Sequence, residues 1–361
     1  MQESVLAQFG WNEHLANLFE TAAQQGLEPG RVVFEDNIGY RVQTARLEIY
    51  STVSGRLRHE ASGREDLPAV GDWVSVRVSS DDARAVIHSV LPRRSCFTRK
   101  VTGARTAQQI VGANIDTIFL VTSLNQDFNL RRIERYLSMA WEGGAQPVVV
   151  LSKADLCPDV QILTEAVREV ARAVPVHPVS VVSGDGLDSL AGYIRFGETV
   201  ALLGSSGVGK STLINFFVGY HRQQVKEVRE HDDRGKHATR RRELILLPQG
   251  GLLLDTPGMR ELQLWEGGEG VQATFDDIEA LALNCFFGDC QHESEPRCAV
   301  RNARAEGQLD SERLESYLKL QRELRKFKLK HDEVARKLEK QQSKKLGHFV
   351  KERAREKRGG R

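Results

Sequence analysis

Residues 204–212 read Gly204-Ser205-Ser206-Gly207-Val208-Gly209-Lys210-Ser211-Thr212, and this segment limits the possible folds of the chain more than any other. It fits the pattern G-x-x-x-x-G-K-[ST]. The apolar run Val200-Ala201-Leu202-Leu203 enters it, and the helical Leu213-Ile214-Asn215-Phe216 leaves it. Glycines at these spacings let the backbone wrap a phosphate, with successive N–H groups and a helix N-terminus aimed at the anion. Lys210 is then expected to reach the outer phosphates, and the Ser211 hydroxyl to hold Mg²⁺.

A second element lies about fifty residues further on, where Leu252-Leu253-Leu254-Asp255-Thr256-Pro257-Gly258 closes an apolar strand with Asp-x-x-Gly. Asp255 can hold Mg²⁺ through water, and the Gly258 N–H can meet a γ-phosphate. The base is read from Ser152-Lys153-Ala154-Asp155, which follows the apolar run Pro147–Leu151 and resembles the Asn-Lys-x-Asp element of GTPases. A carboxylate at Asp155 accepts two hydrogen bonds that guanine offers and adenine does not. Lys153 is expected to lie against the base plane. Ser152 replaces the usual asparagine with a shorter hydroxyl. Val179-Ser180-Val181 is similar to the turn whose backbone N–H meets the guanine oxygen. Taken alone, either short segment also reads as an ordinary surface loop. In ordinary GTPases the base-reading element follows the phosphate loop; here it precedes it by about fifty residues. The same sheet results if the original termini are joined and the chain is reopened after Gly258, because termini often lie close together.

The surrounding patterns agree with this order. From about residue 115, buried strands (Thr117–Val121, Pro147–Leu151, Val176–Val179, Thr199–Leu203) alternate with helical segments, one carrying Ile133, Tyr136, Leu137 and Ala140 on a face. That alternation predicts a parallel sheet. Residues 243–255 read as a hairpin turning at Gly250-Gly251. Residues 30–95 instead show short period-two strands, such as Arg31–Phe34, Tyr40–Thr44, Asp72–Val78 and Ala85–Val90, punctuated by Gly39, Gly55, Gly63 and Gly71. They predict a small β-barrel, of which the oligonucleotide-binding (OB) barrel is one kind. Three domains are expected: a barrel over 30–100, a permuted P-loop α/β GTPase domain over 107–268, and a mostly helical metal-binding domain over 271–361.

Cys285, Cys290, His292 and Cys298 form C-x4-C-x-H-x5-C, a ligand set for one structural Zn²⁺ with no open position for catalysis. Three buried cysteines beside a surface histidine would give the same letters. The five cysteines in all, an odd count, argue against a disulfide framework. No apolar run approaches a membrane span, and the N-terminus lacks a signal-peptide pattern, so a cytosolic protein without membrane contact is expected. The net charge of +2 is uneven: residues 319–361 hold 17 Lys or Arg against 6 Asp or Glu, a net of +11 that leaves −9 for the rest. That end suits a polyanion, although a solvated helix with a disordered tail would look alike.

These features together resemble the RsgA (YjeQ) family of GTPases dependent on the small ribosomal subunit. The likeness includes Val70-Gly71-Asp72-Trp73-Val74, Leu91-Pro92-Arg93-Arg94-Ser95, Ala113-Asn114-Ile115-Asp116, and Phe128-Asn129-Leu130-Arg131-Arg132-Ile133-Glu134-Arg135-Tyr136. It implies an OB barrel, a permuted GTPase domain and a zinc domain. It also implies late maturation of the small subunit as the task, with that subunit and its rRNA as partners and as the stimulus for hydrolysis of GTP to GDP. The family's first switch usually reads Gly-Arg-His-Thr-Thr-Thr; here it is Gly235-Lys236-His237-Ala238-Thr239-Arg240, leaving Thr239 as the candidate second Mg²⁺ ligand. Met259 follows Gly258, and a thioether cannot orient water. The resemblance points to His237 for that role. A monomer is expected. Two rivals remain at this stage: a permuted GTPase acting on the large subunit, and a nonenzymatic rRNA-binding protein with a vestigial nucleotide site.

Overall fold

A computed structural model describes residues 5–36, 38–79, 84–100, 108–125, 127–219, 242–255 and 268–326. His237, Thr239 and Gly258 lie outside the described residues, as do residues 327–361 of the basic segment. The chain forms two compact units: Met1–Gln263 with Gln272–Thr274, and Leu264–Val271 with Phe275–Arg361.

The first five strands of the first unit are β1 (Glu28–Glu35), β2 (Tyr40–Gln43), β3 (Glu48–Val53), β4 (Trp73–Val78) and β5 (Ala85–Val90). They pair in the order β1-β2-β3-β5-β4 and close through β4 back onto β1. Every pairing is antiparallel except β3 with β5. This is the five-stranded Greek-key barrel of the OB type. Alternation predicts four of these strands. β3 completes the ring, and between Gly55 and Gly63 lies a helix, Gly55–Glu60, capped by the Ser54 side chain on the Leu57 N–H. Val32, Val42, Val74, Val76 and Ile87 fill the barrel at zero exposure.

A hairpin of β6 (Cys96–Lys100) and β7 (Gln108–Ala113) leads into the second half of the unit. There β8 (Thr117–Ser123), β9 (Gln146–Ser152), β10 (Val176–Pro178), β11 (Thr199–Leu203) and β13 (Leu252–Asp255) run parallel, in the order β10-β9-β8-β11-β13. The next strand, β12 (Arg242–Leu246), is antiparallel to β13, as the hairpin reading expects. β8, β9 and β11 are almost wholly buried, which explains their continuous apolar sequences. The main departure from alternation is in the helix Leu130–Glu142, where Tyr136 is half-buried rather than part of the apolar face, and Glu134 and Ser138 are buried.

The two sheets join, because β12 also pairs with barrel strand β1, Phe34 opposite Glu243 and Glu35 opposite Arg242. Arg242 seals that edge with a nearly buried ion pair to Glu35 at 2.7 Å and a bond to the Ile110 carbonyl at 2.9 Å. Removing one partner of such a pair costs about 3–5 kcal/mol, since the other charge stays buried. Buried Arg31 makes a second junction. It donates to the Gly71 and Asn114 carbonyls at 3.2 Å each, to Thr199 Oγ1 at 2.8 Å, and to the Phe9 carbonyl. Thr199 begins the strand that ends at the phosphate loop.

In the second unit, helices Asp276–Ala282, Ala299–Ala305 and residues 311–326 enclose Phe275, Ile278, Val300, Leu314 and Leu320. Arg313 grips Asp277 with two bonds of 2.8 and 2.9 Å beneath this small core. Among the described residues, no helix is long and apolar enough to cross a membrane.

Candidate functional site

β11 ends at Leu203, and the helix Lys210–Val218 begins seven residues later. The loop between them needs two of its glycines for different reasons. A Cβ on Gly204 would run into the Val121 carbonyl oxygen of β8, so the strand ends can approach only without one. Gly209 caps the helix in the left-handed region, with φ of 93°, a conformation that glycine adopts without strain. Lys210 folds over the loop and donates to the Gly204 carbonyl at 2.6 Å and the Ser205 carbonyl at 2.5 Å. Ser206 and Gly207 are exposed at the rim, Val208 is buried beneath it, and the Ser211 and Thr212 side chains open the helix on its exposed face.

The segment Ser152-Lys153-Ala154-Asp155 meets this loop directly. Ser152, at the end of β9, is buried, and its hydroxyl donates to the Val208 carbonyl at 2.6 Å across 56 positions. The short serine therefore reaches the phosphate loop from a strand that already passes beside it. Lys153, in the left-handed region at φ 59°, extends its ammonium to the Gly207 carbonyl at 2.7 Å. Ala154 N–H donates to the Val179 carbonyl, which locks this segment to the turn at Ser180 and Val181. In that turn Ser180 is buried, its N–H donates to the Asp185 carbonyl at 3.0 Å, and its hydroxyl accepts the Ser183 N–H at 3.1 Å. Asp155 follows with an exposed side chain. Asp255 ends β13, two strands along from β8 in the same parallel sheet. Ser211 and Asp255 carry oxygen atoms of the kind that suits a hard cation such as Mg²⁺.

One contact on the loop carries no signal in the motif. Arg132 and Tyr136, four residues apart on the helix Leu130–Glu142, both reach the Ser205 hydroxyl, at 2.9 and 3.3 Å. Their spacing places them on one helix face, but spacing alone does not say what that face meets.

In the second unit Cys285, Cys290, His292 and Cys298 bring one donor atom each to within 4.8 Å of one another. Cys285 Sγ lies 3.8 Å from Cys298 Sγ and 3.6 Å from His292 Nδ1, which is 3.4 Å from Cys298 Sγ. Metal bonds of about 2.3 Å to sulfur and 2.0–2.1 Å to nitrogen give tetrahedral edges of about 3.8 and 3.5 Å. The three edges among Cys285, His292 and Cys298 match those values, and with Cys290 close by the cluster fits a zinc ion. Burial keeps the His292 imidazole below the ordinary histidine range and so neutral, the form that ligates. Cys298 also caps the helix Ala299–Ala305, its sulfur accepting the Arg301 N–H. Between the ligands the Glu295 carboxylate accepts the N–H groups of Gln291, Glu293 and Ser294, which hold its pKa down at about 2.

A family model described as RsgA GTPase matches residues 90–265, the hairpin and the sheet that carry the nucleotide site. A second, described as ABC transporter, matches residues 187–346. That span contains the phosphate loop, an element not confined to one class of nucleotide-binding protein, and omits Ser152–Asp155. The chain is 46% identical to the small ribosomal subunit biogenesis GTPase RsgA of Opitutus terrae, covering 99% of both proteins. It is 42% identical to the protein of the same name from Streptomyces coelicolor, covering 99% of this chain and 97% of that one. Among solved structures, YjeQ from Thermotoga maritima matches with a TM-score of 0.62 at 25% identity, over 82% of this chain and 98% of that one. YloQ, described as a circularly permuted GTPase, matches at 0.59 and 26% identity, over 83% and 96%.

Proposed function

The chain belongs to the RsgA GTPase family and is a GTP-hydrolysing enzyme, and from that premise we propose that it serves biogenesis of the small ribosomal subunit, which in turn stimulates its hydrolysis. The observation that carries this reading is the pair of tethers from Ser152 to Val208 and from Lys153 to Gly207. They tie two segments of permuted order together, which supports reading them as one nucleotide site.

In this reading Asp155 accepts the guanine N1–H and exocyclic amine, and the Ser180-Val181 turn meets the guanine oxygen. Lys153 lies along the base. The amides of residues 204–212 and the Lys210 ammonium hold the phosphates. Mg²⁺ bound with GTP supplies charge neutralisation, with Ser211, Asp255 and Thr239 as the residues to hold it. The Gly258 N–H contacts the γ-phosphate. His237 orients the attacking water in place of the residue after Gly258, which is Met259. The Cys3His cluster holds one structural zinc. The basic segment 319–361 and the barrel meet rRNA, and the protein works as a cytosolic monomer. The domains run over 30–100, 107–268 and 271–361.

The test is GTP turnover by the purified protein alone, with isolated small subunits, and with isolated large subunits. Acceleration by the small subunit only is expected. Equal acceleration by the large subunit, or none by either, would overturn the proposal.

A further inference from the structure

The helix Leu130–Glu142 packs Ile133, Leu137 and Ala140 into the core and turns another face to the phosphate loop. Its start is fixed, because the Asn129 side chain accepts the Arg132 N–H at 2.9 Å. Arg132 therefore leaves a capped first turn at a set angle. Its Nη1 carries two hydrogens and has two close side-chain acceptors, Asp127 Oδ2 at 2.6 Å and Ser205 Oγ at 2.9 Å. Asp127 thus aims the guanidinium and the guanidinium holds the serine. Tyr136, one turn on, closes over the same hydroxyl at 3.3 Å. Ser205 is also gripped from its backbone, where its carbonyl accepts from Lys210. Each loop residue that must present an amide to a phosphate depends on the neighbour before it, and Ser205 is the first after Gly204.

We propose that Arg132, aimed by Asp127 and assisted by Tyr136, is a positioning residue for nucleotide binding: through the Ser205 hydroxyl it sets the phosphate loop in its binding shape before GTP or GDP arrives. The proposal rests on reading residues 204–212 as the phosphate-holding loop. A planar guanidinium suits the task, since its hydrogens point in fixed directions and can serve a carboxylate and a hydroxyl together. Because the contact shapes the cradle and touches no reacting atom, its loss falls on affinity and KM, and kcat stays near its starting value.

The experiment measures GTP and GDP affinity and steady-state GTP turnover for Arg132→Gln, Ser205→Ala, the double variant and Lys210→Ala, with thermal melting of each. Hydrogen bonds to charged groups are worth enough that each single variant should weaken both nucleotides about tenfold. The double variant should be no weaker than the worse single one, because both changes remove the same contact. Wild-type affinities in both single variants, or additive losses in the double, would overturn the proposal. So would a drop in melting temperature with affinity intact, which marks a purely structural role. Lys210→Ala separates the two readings. Lost binding there with intact binding in Arg132→Gln and Ser205→Ala sinks only this proposal, whereas intact binding in Lys210→Ala sinks the reading of the loop itself.

Discussion

The nucleotide site and the cysteine knot both gather loop atoms into a cluster that could hold a ligand, but different forces hold the two gatherings in place. At the nucleotide site the loops are the ends of buried strands. Phe119 and Val121 of β8, Val148 and Val150 of β9, and Val200 and Leu202 of β11 belong to one core cluster with Val208 and Leu213 of the loop and its helix. Each such side chain contributes about 1.5–3 kcal/mol by leaving water, so the sheet keeps the strand ends together whatever occupies the site. Polar tethers such as Ser152 to Val208 then refine the fit. The knot has less such support: Cys298 and His292 are buried against the small core of the second unit, but Leu283 is 88% exposed, Phe286 62% and Phe287 40%. Three sulfurs and a nitrogen approach one another there, and as thiolates they repel unless a cation lies among them. One site is shaped by the fold around it, and the other, read as a zinc site, would lean on its ion.

Metal removal makes the largest test of that difference. Chelation, or Cys290→Ser, should loosen the second unit and leave nucleotide affinity close to the starting value. Structural zinc contributes on the order of 10 kcal/mol in small zinc domains, so the loss should be plain by hydrogen exchange across 285–298. A metal-free protein with that segment fully protected would break the comparison from the knot's side.

The next test concerns chemistry at a site already shaped. His237→Ala should keep GTP affinity and subunit association but lose about 10²–10⁴-fold of the stimulated rate, the usual worth of a positioned proton-handling group. Wild-type stimulated turnover at saturating subunit would remove His237 from the mechanism. Asp155→Asn should trade guanine for xanthine, because a donor then faces the 2-oxygen of xanthosine triphosphate. Competition binding reads the exchange, and at least about a tenfold reversal in preference is expected from a pairing site of this kind. The smallest change is Ser152→Ala, which leaves the buried Val208 carbonyl short of a donor at a cost of about 1–3 kcal/mol. Melting temperature should fall and GTP affinity should weaken severalfold. An unchanged variant would mean that the sheet alone, without its tethers, shapes the loop.

Much of this could be read from the chain because its chemistry lies in short contiguous runs. The strand, glycines and helix of residues 200–216 specify a phosphate loop through their own neighbours, and the ligands of the knot fall within fourteen positions. Buried parallel strands announced themselves as unbroken apolar runs. Alternation found most of the barrel, but a period of two only says which face of a strand is buried. Tertiary structure supplied the partners. It closed the barrel with a parallel pairing of β3 and β5, and it joined β12 to β1 across the sheet edge. It brought Ser152 to Val208 and Arg132 to Ser205, 56 and 73 positions apart. Local sequence carries backbone preference and burial, which adjacent residues decide among themselves. Which distant groups meet is decided by how strands order and helices pack, and one chain's periodicity holds no record of that.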